Sequence, residues 1–179
     1  MAFEEGLINT KKLEKELRKL VGAIRIEELN KKFTAVSVDL LTGKKEFIEE
    51  GDLVEAILAS CAIPLVFPPI HKEGKLLVDG GLEDPLPIDK AFEIAKKVIA
   101  VNVYRSIEKM PKKEKYNFVD IFERALVIIQ REITEAALKK YKKNLLMIQP
   151  EVNIGTFDFT KAKEAIALGE EEAEKICVK

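Results

Sequence analysis

The residue of this chain best placed to do chemistry is Asp79, in the run Leu76-Leu77-Val78-Asp79-Gly80-Gly81. Three consecutive apolar residues read as a buried strand. That strand delivers one carboxylate and then stops at two glycines, which let the backbone turn and let another group come close. A carboxylate at a strand end, beside bare backbone, is where an open α/β sheet puts its chemistry. Asp-Gly is equally an ordinary turn signal. On these residues alone both uses stay open.

The other reactive side chains are sparse. The serines are Ser37, Ser60 and Ser106, and none sits in the G-x-S-x-G elbow that presents a nucleophile between strand and helix. His71 is the one histidine, in a Pro/Lys/Gly loop, and reads as solvated. Ser60 and Cys61 lie at a helix end without an adjacent base, so neither makes a credible nucleophile, and the Cys61 thiol reads as inert. Asp39 precedes Leu41-Thr42-Gly43-Lys44 and is assigned to turn structure. No Cys or His spacing suits a metal, and neither a P-loop nor G-x-G-x-x-G is present. No cofactor or metal is expected. Residue chemistry alone therefore offers one well-placed carboxylate without a partner.

The elements that must position Asp79 follow from periodicity and punctuation. Leu13, Leu17, Leu20, Val21 and Ile24 mark an amphipathic helix over 10–24, capped by Asn9 or Thr10. Residues 33–40 and 45–49 read as a β-hairpin around Gly43. Asp52 and Glu55 have capping-box spacing at the start of a helix, whose stripe is Val54, Ile57, Leu58 and Cys61 and whose end is Pro64. Leu65-Val66-Phe67-Pro68-Pro69-Ile70 cannot be helical, because adjacent prolines forbid it. It either walls an apolar pocket near Asp79 or packs on the core. Pro85-Leu86-Pro87 opens a helix over 88–96, and Val98 to Val103 has the all-apolar character of a parallel-sheet strand. Residues 105–117, with Pro111, read as a mobile connector. A long helix is expected over 118–142, its stripe being Phe118, Ile121, Phe122, Ala125, Ile128, Ile129, Ile133 and Ala136. A strand over 145–148 and a helix over 160–176 close the chain. Strands alternating with helices argue an α/β fold.

Composition narrows the classes. The chain has 179 residues, which sets one domain as the prior and buries roughly 70% of the unfolded surface. Basic and acidic residues number 30 and 31, so no electrostatic case for nucleic acid arises. No apolar run approaches the ~18 residues of a membrane span, and Met1-Ala2-Phe3-Glu4-Glu5 is acidic where a signal peptide is basic. Cys61 and Cys177, far apart, suit free thiols in a reducing cytoplasm. Gln occurs only at Gln130 and Gln149 and Trp is absent, a Lys/Glu-rich bias of the kind seen in hyperthermophile proteins.

The run from Ala59 to Pro87, ASCAIPLVFPPI…KLLVDGGLEDPLP, resembles the patatin-like phospholipases of bacterial and archaeal type. It carries an AS-x-AIP segment, an FPP loop, a strand ending in Asp-Gly-Gly, and PLP, in that order. Val36-Ser37-Val38-Asp39-Leu40-Leu41-Thr42-Gly43 resembles the family's "vatDl-x-tG" hairpin, and Val98-Ile99-Ala100-Val101 the strand after the Asp motif. The resemblance runs along essentially the whole chain.

It implies an α/β, patatin-like fold with a mostly parallel sheet flanked by helices, and a serine acyl hydrolase with a Ser–Asp dyad that needs no histidine. Asp79, with Gly80 and Gly81, maps onto the family's D-G-G motif, so Asp79 would accept the serine proton. The family's elbow and glycine-rich oxyanion loop lie upstream of anything in this chain. The expectation is one partial domain over 1–179, incomplete at its N-terminus, without a nucleophile and inactive alone. A missing half should leave an apolar sheet edge exposed. The implied partners are a phospholipid, lysophospholipid or simple ester, the missing half or a second copy, and the surface of a membrane touched peripherally from the cytoplasm. The competing expectation is a non-catalytic binding or assembly module built on a truncated fold.

Overall fold

A computed structural model describes residues 10–104, 107–110, 112–141, 143–152, 154–155 and 158–177. The proposed Asn9 cap, Met1 to Ile8, Arg105, Ser106, Pro111, Lys142 and the Cys177 side chain lie outside the described residues or side chains. The chain divides into two compact units, Met1–Pro85 and Leu86–Lys179.

The first unit begins with helix α1, Thr10–Val21, three residues shorter than the apolar spacing suggests because Gly22 turns to φ 76°. Strands β1, Ala35–Asp39, and β2, Lys44–Ile48, form the expected hairpin. Helix α2, Leu53–Ser60, follows. Its N-cap is Asp52, whose carboxylate accepts from the Glu55 backbone N–H at 2.9 Å and from Arg18 Nη1 at 2.9 Å. Strands β3, Ile70–Lys72, and β4, Lys75–Asp79, close the unit.

These four strands make one sheet in the order β2-β1-β4-β3, every pair antiparallel. The α/β character is as expected, whereas the expected mostly parallel sheet is not found in this unit. The reason is connection length: the loop between β1 and β2 and the Glu73-Gly74 turn between β3 and β4 are too short for anything but a hairpin. Glu73 at φ 50° and Gly74 at φ 78° are the two positive angles of a type I′ hairpin turn. Strand β3 escapes the sequence reading, which leaves His71 in a loop. The signal for it was Glu-Gly standing between two short strand-like runs.

Helix α2 packs on β1 and β4. Leu53 and Ala56 bury against Ile26 and Ala35, with Ile24, Leu29, Phe33, Ile48 and Ile57 around them. Ala35, Ser37 and Asp39 alternate onto the same face of β1, so that face looks toward α2. Cys61, expected in the α2 stripe, is exposed instead, while Ala56 and Ala59 are buried.

In the second unit, helix α3, Ile88–Ile94, leads into strand β5, Val98–Val101. Helix α4, Phe118–Lys140, then crosses over to strand β6, Leu145–Ile148, which pairs parallel with β5. This is the parallel pair that the apolar character of 98–103 predicts. Asn117 and Asp120 exchange side chain-to-backbone bonds as a capping box for α4. Leu86, Ile88 and Ala100 form the core, joined by Phe92, Leu138, Tyr141, Leu145 and Met147. The Phe92 and Tyr141 rings stack at 4.4 Å. The expected stripe of α4 is corrected. Phe118, Ile121, Ile128 and Ile129 are exposed, and the buried residues are Val127 and Thr134. The run Leu126-Val127-Ile128-Ile129 is apolar around the whole helix, so spacing cannot select the buried arc. Met110 is buried within the expected connector. Helix α5, Ala162–Cys177, ends the described chain.

Candidate active site

Asp79 is the last residue of β4, and three features fix its place. Its N–H donates to Ala62 O at 3.0 Å, just past the end of α2. Its strand pairs with β1 in the register Ser37↔Asp79, Val38↔Val78, Asp39↔Leu77. The third runs through the following residue. Gly80 opens a 3₁₀ turn, Gly80–Leu82, and lies directly on β1. A Cβ at Gly80 would stand 2.4 Å from Val36 O and 2.7 Å from Val36 C. Only hydrogen fits there. The glycine after Asp79 is thus set by close approach to a neighbouring strand. Gly80 O in turn receives the N–H groups of Glu83 and Asp84, at 3.1 and 2.9 Å.

One carboxylate oxygen of Asp79 accepts from the Gly81 N–H at 2.7 Å. That bond is the turn role that Asp-Gly signals. It leaves the second oxygen without a hydrogen bond among the described residues. Burial pushes the Asp79 carboxyl above the usual range, and the Gly81 N–H pulls it partly back. A carboxyl desolvated in this way becomes a better proton acceptor, the property wanted in a general base.

The surroundings sort the remaining candidates. Asp39 is 3% exposed, and its carboxylate accepts from Leu41 N at 3.1 Å, Thr42 Oγ1 at 2.8 Å and Leu76 N at 3.0 Å. It belongs to the turn, as the residues suggest. The Leu76 N–H, followed by the Thr42 hydroxyl, lowers its carboxyl. Cys61 caps the C-terminal end of α2, and its thiol is pushed up first by the crowding of protein atoms and then by the Asp79 charge. A thiol held protonated is a poor nucleophile. Ser60 ends α2 and makes no side-chain hydrogen bond among the described residues. His71 stands exposed on β3, opposite Leu76. Among the described residues no group of three His, Cys, Asp or Glu is placed to hold a metal ion.

The proline-braced segment is buried only in part. Val66 is buried at 6% exposure, whereas Leu65 is 46% exposed. The Val66 and Phe67 N–H groups both donate to Ile63 O, at 3.1 and 2.9 Å, and this tight turn forces Leu65 to φ 71°. A left-handed leucine costs about 1–2 kcal/mol. Leu65 is thus an exposed apolar side chain on a strained backbone, three residues past the Ala62 carbonyl that anchors Asp79.

Comparison with known proteins places the chain in a family. A model of the family described as Patatin-like phospholipase matches residues 1–92. An uncharacterized NTE family protein of Mycobacterium bovis is 45% identical over 83 residues, covering 46% of this chain and 23% of the relative. A second one, of Mycobacterium tuberculosis, is 37% identical over 86 residues, covering 48% of this chain and 15% of the relative. Lysophospholipase NTE1 of Scheffersomyces stipitis is 25% identical over an alignment of 182 residues, covering 88% of this chain and 12% of that protein. The chain spans less than a quarter of the length of each of these relatives.

Proposed function

This chain belongs to the patatin-like phospholipase family, and from that premise we propose that it supplies the aspartate of a Ser–Asp dyad in lipid or carboxylic-ester hydrolysis. The carrying observation is the geometry of Asp79. It is a half-buried carboxyl at a strand end, its backbone N–H bonded to Ala62 O and one carboxylate oxygen held by the Gly81 N–H, with the other oxygen open among the described residues. In this reading the serine comes from a segment other than those described, carried upstream or on a separate chain. Asp79 takes the proton of that hydroxyl as it attacks the ester carbonyl. The proton then passes to the leaving alkoxide, and water releases the acyl group by the same route in reverse. Backbone donors near the serine stabilise the tetrahedral oxyanion. The substrate class is an acyl ester with an apolar chain, in keeping with the exposed Leu65.

The exposed apolar face of β5 and β6 supports the half-site reading. Ile99 is 62% and Val101 49% exposed on β5, and Leu146 stands beside Ile99 on β6. Parallel strands are ordinarily covered on both faces, so this pair has room for further structure. The same face favours a second reading, an assembly module that self-associates there without catalysis. No described helix is long and apolar enough to cross a membrane.

Treatment with a fluorophosphonate probe followed by intact-mass measurement tests the dyad. The expected result is no adduct on this chain, and one adduct when a segment bearing a G-x-S-x-G elbow is joined upstream. Hydrolysis that survives Asp79→Ala in the longer protein would overturn the role of Asp79. Sedimentation separates the second reading, since a monomer at all concentrations excludes self-association through β5 and β6.

A further inference from the structure

Ser37 is fully buried, at 0% exposure, and its Oγ has no hydrogen-bond partner. A buried hydroxyl without a partner is rare and calls for an explanation. Two facts of register locate one. Ser37 lies directly opposite Asp79 across β1 and β4, so the two side chains leave the sheet on the same face. The pair is also of the closer kind. Leu40 N donates to Leu76 O at 2.9 Å, which makes 40 and 76 a hydrogen-bonded pair. Alternation then makes 39 with 77, and 37 with 79, non-hydrogen-bonded pairs, whose Cα atoms stand about 4.5 Å apart. The Asp79 N–H agrees, since it turns away to Ala62 O.

The other carboxylates around Ser37 are already engaged. Glu46 is its neighbour on β2, across the wider kind of pair, and the Glu46 carboxylate is taken by Lys75 Nζ at 2.7 Å. Asp39, next along the same face of β1, is bonded to Leu41, Thr42 and Leu76. The Cys61 thiol, at the end of α2, is exposed and is no buried donor. What remains is one buried donor without an acceptor beside one carboxylate oxygen without a donor.

We propose that Ser37 is a positioning residue for Asp79, its hydroxyl donating to the second carboxylate oxygen whenever Asp79 carries its charge. The Gly81 N–H holds one oxygen and Ser37 holds the other, so the carboxylate is aimed and stays ionised despite its burial. The proposal rests on the reading of Asp79 as the dyad base. Ser37 itself touches no substrate, being closed off from solvent.

The experiment is a carbon-13 NMR titration of the Asp79 carboxyl in this chain, in the wild type, Ser37→Ala and Ser37→Thr. With the donor removed, Ser37→Ala raises the Asp79 pKa by about one unit, a tenfold gain in proton affinity. Ser37→Thr, which keeps the hydroxyl, returns the titration to the wild-type position. If Ser37→Ala leaves the titration where it was, the proposal is overturned, and a gain in thermal stability in that variant would identify an orphan hydroxyl instead. Should Ser37→Ala not fold, Ser37→Val, which has the shape of threonine and no donor, carries the same test, and an unshifted titration overturns the proposal equally. Failure here leaves the dyad standing. Hydrolysis that survives Asp79→Ala sinks the dyad and leaves the Ser37 contact as measured.

Discussion

Replacing Gly80 with alanine puts the closest backbone contact of the site under test. The added Cβ meets Val36 O at 2.4 Å, Val36 C at 2.7 Å and Val36 Cγ1 at 2.9 Å. Unstrained carbon contacts begin near 3.5 Å, so about 1 Å of separation has to be found. Neither side yields it easily. Val36 lies in a central strand paired on both edges, and the turn is held by the Glu83 and Asp84 N–H groups on Gly80 O. Overpacking costs typically 1–3 kcal/mol, and a collision of backbone with backbone belongs at the top of that range, about 3 kcal/mol. Urea unfolding followed by circular dichroism reads the change. Gly169→Ala in α5 is the control, because nothing lies within 4 Å of its added Cβ, and alanine in a helix interior gains roughly 0.5–1 kcal/mol over glycine. The Asp79 titration gives a second reading. If the turn moves, the Gly81 N–H is lost, and it is the influence that lowers the Asp79 carboxyl, so the pKa rises further. A Gly80→Ala cost below about 1 kcal/mol would refute the close-approach argument.

Asp79→Asn should raise the melting temperature at neutral pH. The folded carboxyl is raised above its unfolded value, so the native state holds the extra proton and stability falls as pH climbs through the interval between the two values. Asparagine removes that loss above the interval and changes nothing below it, which melting curves across pH will show; a less stable variant at neutral pH contradicts the burial argument. Asp39→Asn should do the reverse. Its carboxyl is lowered by the Leu76 and Thr42 donors, so its contribution is present above the ordinary carboxylate range and lost as pH falls through the folded value. The variant melts lower at neutral pH, and the gap closes in acid. Asp52→Ala removes the N-cap of α2 and should cost about 1 kcal/mol in chemical denaturation, while Asp52→Asn keeps the cap and gives up only the Arg18 ion pair, roughly 0.2–1 kcal/mol.

Much of this protein is legible in local chemistry. Asp52 three residues before Glu55 starts α2, Pro64 forbids its continuation, and the all-apolar run after Val98 marks the parallel strand. Those signals act over a few residues, where propensity, capping and proline sterics decide the backbone. Asp79 with its glycines is visible in the same way, as a strand end that must turn. What the glycine is for depends on Val36, a residue of another strand. So does the pairing of Ser37 with Asp79, since strand register is settled by non-local hydrogen bonds. The antiparallel sheet and the Val127–Thr134 face of α4 have the same origin. An apolar sequence permits several buried arcs and pairings, and the tertiary structure selects the one that buries most while satisfying the backbone.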